Sequence, residues 1–138
     1  MPALNIAMRF LHIISAITLL GGVLAWRFGV MPAFAALGED TRRKVDNSVA
    51  AAWRPFVLSG VVGLLVSGVY NFLIKTGLTP AYHAVIGVKF LLVLHVFAVA
   101  LIVTKPDNAK RSRQLTGIAV SGVSIVILSA VLQWIRTQ

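Results

Sequence analysis

The sequence predicts an all-α integral membrane protein, a single bundle of four transmembrane helices, and three observations carry that prediction. Of its 138 residues, 58% are hydrophobic and only 12% are charged, more apolar surface than a soluble domain of this size can bury. The apolar residues fall into four continuous runs, at about 4–34, 56–74, 82–103 and 115–135, each near or above the ~20 residues that cross a ~30 Å hydrocarbon core as a helix. None of the runs alternates polar with apolar residues as the strands of a membrane barrel must, so helices are what remains to satisfy the backbone in lipid.

The first run, Leu4 to Phe34, is longer than the core of a signal peptide and reads as a retained span. The connection after it, Gly38 to Arg54, carries Glu39, Asp40, Arg42, Arg43, Lys44 and Asp46. Arg54 and Pro55 then mark the expected start of helix two, where a proline forfeits no intrahelical bond. Lys75, Thr76, Gly77 and Pro80 form a short turn into the third run, and the connection from Lys105 to Gln114 carries Asp107, Lys110, Arg111 and Arg113 before the fourth. Both long connections are basic, whereas the other side has only Arg9, Lys75 and Arg136, so the positive-inside rule predicts cytoplasmic connections and both termini on the non-cytoplasmic side. The 13 Lys and Arg against four acids therefore read as topology signals in contact with lipid, and no nucleic-acid partner is expected. Trp26, Trp53, Trp134, Tyr70 and Tyr82 lie near predicted span ends, where aromatic rings anchor helices at the membrane interfaces. Cysteine is absent, which excludes disulfides and thiolate metal sites.

Small residues suggest how the helices meet. Gly60, Gly63, Ser67 and Asn71 share one face of helix two, and Gly117 with Ser121 repeats the spacing in helix four. Such stripes permit close backbone approach. They suit helix packing, a flat cofactor, or the external faces of a homodimer.

Ionisable residues inside a bilayer are costly and mark function by default. His12 and Arg27 lie in helix one, and Lys89 and His95 in helix three. All four acids, Glu39, Asp40, Asp46 and Asp107, lie in the connections, so an anion for Lys89 must come from a ligand, a lipid or a helix end. His12 reads either as a neutral imidazole bonded to a neighbouring serine or carbonyl, or as a metal or haem-iron ligand. Met8 and Ser15 share its face, which would also suit Cu(I). His95 is expected to face the bundle interior, and His83 to sit at the outer interface. With ~1.5 Å of rise per residue, His12 and Lys89 come out level while His95 lies roughly 9 Å deeper. One histidine, His12 or His95, as iron ligand, with Lys89 and Arg9 balancing propionates, fits those depths.

The stretch Leu11-His12-Ile13-Ile14-Ser15-Ala16, then Gly21-Gly22, Arg27 and Met31-Pro32-Ala33, resembles the copper resistance protein D family and, more distantly, the membrane protoporphyrinogen oxidase of the HemJ type. Ser67-Gly68-Val69-Tyr70-Asn71 and the run from Gly87 to His95 extend the resemblance over about the first three helices. It implies a helical bundle that, in the HemJ-type branch, binds haem b and needs the helix-one histidine and the helix-three lysine, here His12 and Lys89; a bacterial inner membrane is the expected location. The aromatic usual before the helix-one glycines is Leu19 or Leu20 here, and the Tyr-His pair implied after the arginine is missing beyond Arg27. The expected function is a small haem b protein with a one-electron redox role, in its sharpest form an oxidase passing electrons to quinone or to a redox partner protein. The alternatives are a copper-binding or copper-transport protein using His12, His95 and Met8, and a non-catalytic membrane subunit.

Overall fold

The computed structural model describes residues 2–137, so Met1, one of the three methionines, lies outside the described residues. Four helices, each long and apolar enough to cross a membrane, account for the fold: α1 Pro2–Ala33, α2 Glu39–Leu73, α3 Pro80–Val103 and α4 Arg111–Thr137. There is no strand among the described residues. α1 packs along α2 and α3 along α4, so the chain forms two hairpins. The hairpins meet mainly where the second half of α1 lies against α4, while α2 and α3 touch sparingly.

Two turns of α1, Ile17–Gly21 and Trp26–Val30, are widened to π geometry. An i→i+5 turn holds more residues than an α turn. Ser15, Leu19, Val23 and Trp26, at steps of four, four and three, are buried along one side of α1, a spacing close to the 3.6 residues per turn of a helix.

α2 begins at Glu39, well before the expected start at Phe56, and Pro55 lies inside it. The segment ahead of Pro55 is rich in Ala, Arg and Lys, which favour helix. Glu39 and Asp40 occupy the first turn, where their charges complement the helix dipole. Burial of Ala50 and Val57 in the main core then outweighs the one backbone bond that Pro55 cannot donate. The Gly60–Gly63–Ser67 stripe faces α1 rather than a second chain. A Cβ at Gly60 would lie 3.5 Å from that of Leu19, and one at Gly63 would collide with the Ser15 hydroxyl. In α4 the tightly packed small residue is Gly122, against Leu20, and not Gly117, whose missing Cβ faces open space.

Trp53 lies over Gly22, so that any side chain at position 22 would occupy the indole ring. Gly22→Val should therefore destabilise the protein by about 1–3 kcal/mol, the usual cost of overpacking. Thermal unfolding in detergent followed by tryptophan fluorescence checks this, with Gly21→Ala as the control, because a Cβ there meets nothing.

The end carrying the basic connections is locked by a residue that the sequence shows only as one more loop cation. Arg111, at the start of α4, is 2% exposed. Its guanidinium pairs with Asp46 of α2, donates to the carbonyls of Val103 (3.0 Å) and Lys105 (2.6 Å), and lies 5.5 Å over the Trp26 ring. Beside it Asn47 clamps the loop, donating to Asp107 Oδ1 and accepting from the Asp107 N–H, both at 3.0 Å. That holds Asp107 at a φ of 50°, a left-handed conformation that Asp tolerates better than most residues.

Two of the aromatic anchors expected at the interfaces are core residues instead. Trp26 is 2% and Tyr82 1% exposed, Trp26 because it floors Arg111 and Tyr82 because its hydroxyl accepts from Lys75 Nζ at 2.8 Å. Trp134 does face outward.

Candidate functional site

Two apolar clusters divide the interior. The main one draws on all four helices at the basic end and reaches Val61, Val93 and Ile125. The smaller one, at the other end, gathers Phe72, Leu78, Tyr82, Ile86 and Leu132, with nothing from α1. The polar residues fall between them in register: His12 on α1, Ser67 and Asn71 on α2, Lys89 on α3 and Ser129 on α4. Each helix thus contributes to one polar layer inside the span.

Ser67 organises that layer. It is fully buried, and its Oγ lies 2.5 Å from the Gly63 carbonyl and 3.0 Å from His12 Nδ1. A carbonyl cannot donate, so the single hydroxyl hydrogen goes to Gly63 and the oxygen accepts from Nδ1–H. The imidazole is then the tautomer whose Nε2 carries a lone pair, free for a metal or a proton. Gly68 leaves room beside the ring, since a Cβ there would lie 3.7 Å from His12 Cε1. Asn71 donates to the Met8 carbonyl (3.5 Å) and Tyr70 to Asn5 Oδ1 (2.7 Å), tying this half of α1 to α2. The role of Ser67 was hidden in a stripe that reads as packing; the signal was that the stripe carries a hydroxyl level with the histidine.

Lys89 belongs to the inward stripe of α3, which runs Tyr82, Ile86, Lys89, Val93, Val96, Ala100 and Val103. It is half-buried. Of the four carboxylates, Glu39, Asp40 and Asp46 lie in the first turns of α2 and Asp107 in the loop before α4, all toward the basic end. The layer therefore sets the Lys89 ammonium level with the His12 imidazole and away from the carboxylates, a place for an anionic ligand.

His95 does not join it. Expected in the interior, it is exposed on the opposite side of α3. Six residues separate it from Lys89, about 1.7 turns at 3.6 residues per turn, so the two cannot share a face. Arg9 is exposed on α1, and Arg27 donates to Thr116 Oγ1 at 2.8 Å, binding α1 to α4. His83 is exposed at the start of α3, its ring within 2.9 Å of the Thr79 carbonyl. Met8 lines a shallow apolar groove of about 530 Å³ with Leu65, Val66, Val69, Tyr70 and Leu73. Among the described residues no three His, Asp or Glu side chains converge on a metal site.

Four helices long and apolar enough to cross a membrane, with a half-buried polar layer between them, make this an integral membrane protein by class. Comparison with known proteins adds nothing to that class: no family model matches the chain, and no curated protein and no solved structure matches it.

Proposed function

We propose that this is a small membrane haem b protein with a one-electron redox role, seated with its basic connections on the cytoplasmic side. The observation that carries the reading is the His12–Ser67–Gly63 chain, which fixes the ring and leaves Nε2 as an available ligand. Lys89, on α3 level with His12, would balance a propionate. His12 would then be the protein ligand of the haem, and the bound group would supply one-electron exchange. Ser67 holds the tautomer, Gly68 keeps space beside the ring, and the apolar clusters above and below exclude water. The likeness of the helix-one and helix-three segments to the HemJ-type oxidase supports the same assignment, with quinone as the electron acceptor. The copper alternative would use His12 with Met8, one turn before it on α1, and metal analysis of the purified protein separates it from haem.

The test is expression with haem supply, purification in mild detergent, and oxidised and dithionite-reduced spectra with a pyridine haemochrome assay. A stoichiometric b-type spectrum, lost in His12→Ala and retained in His95→Ala, is the expected result. A colourless protein from haem-replete cells would overturn the assignment.

A further inference from the structure

The outward side of α3 carries one polar side chain deep in the span. His95 is exposed and has no hydrogen-bond partner among the described residues. It lies about 22 Å along the helix from Pro80 and about 12 Å from Val103, at ~1.5 Å per residue. Its short side chain reaches neither interface, unlike a snorkelling lysine. Hydrocarbon provides no donor or acceptor, so the complement must come from protein. His95 is also centred in an unbroken seam. Ala84, Val88, Leu91, His95, Ala98 and Ile102 follow one another at alternating steps of four and three, and all six are exposed. That 3.5-residue rhythm keeps a seam turned toward a partner helix, and the alanines on either side allow close approach.

We propose that this face of α3 joins two copies of the chain in the membrane, with His95 at the two-fold axis. A neutral imidazole has one N–H donor and one lone-pair nitrogen, so it is its own complement, and a two-fold brings one ring to donate to the other. A foreign helix would have to carry a matching group at this depth, whereas a second copy brings it by symmetry. A single polar residue in an apolar seam also fixes the register of the pair. The small-residue faces of α2 play no part, because they are spent on α1.

The absence of cysteine makes single cysteines clean reporters. Ala98→Cys, oxidised mildly in membranes, should give a disulfide-linked dimer of twice the chain mass, and Val66→Cys, exposed on α2, should not. In the Ala98→Cys background, His95→Leu should weaken dimerisation about 3- to 30-fold, which is what an interhelical hydrogen bond in a membrane is worth. His95→Gln, whose amide both donates and accepts, should restore it and shows that the weakening is not misfolding. Three results would overturn the proposal: linkage at Ala98 no stronger than at Val66, linkage only to another protein, or a dimer that His95→Leu leaves unchanged.

Discussion

Arg111→Ala is expected to cost the fold about 3–5 kcal/mol, as breaking a buried ion pair from one side does. The loss has three parts. Asp46 would keep a charge in a partly buried place, where its Oδ1 already lacks a partner. The carbonyls of Val103 and Lys105 would lose their donors, and the Trp26 ring would lose its cover. Arg111→Lys should fall between, since an ammonium cannot span a carboxylate and two carbonyls as a planar fork does. The pair Arg111→Met with Asp46→Leu should recover much of the loss, because no charge is then stranded. Thermal unfolding in detergent measures all three, and an unchanged midpoint for Arg111→Ala would refute the lock.

The other large effect falls on the His12 ring. If His12 holds haem iron, Ser67→Ala should weaken haem binding about 10- to 100-fold while leaving some b-type spectrum, the usual penalty for losing the group that orients a metal ligand. His12→Ala should remove the spectrum altogether. Ser59→Ala is the control, since that hydroxyl only returns to its own helix at Phe56. Equal haem occupancy in Ser67→Ala and the parent would mean that the tautomer is set by something else. Titration of the purified apoprotein with haem gives the affinities.

The four spans were legible because lipid leaves so few options: long apolar runs in this number can only be helices. What periodicity alone could not show was where competition between terms would end. Pro55 sits before an apolar run and reads as a start, yet the helix-favouring segment ahead of it and the burial of Ala50 carry α2 through it. Lys89 was legible from depth and charge. His95 was misread because depth was weighed without angle; helical geometry places it away from Lys89 whatever the fold. Arg111 was indistinguishable in sequence from its exposed neighbours Lys110 and Arg113, since its burial depends on Asp46 and Trp26, which lie on other helices. Ser67 was visible as a small residue but not as a hydrogen-bond relay, which requires knowing that α1 and α2 are partners.

The lock at Arg111 also implies an order of events at the ribosome. Asp46 and Trp26 belong to the first hairpin, and Arg111 with its carbonyl acceptors belongs to the second. The first hairpin therefore enters the bilayer with an unanswered carboxylate at its basic end, hydrated and open. Only when α4 begins to emerge does the guanidinium arrive, so the basic end of the first hairpin stays open until the loop before α4 has been made.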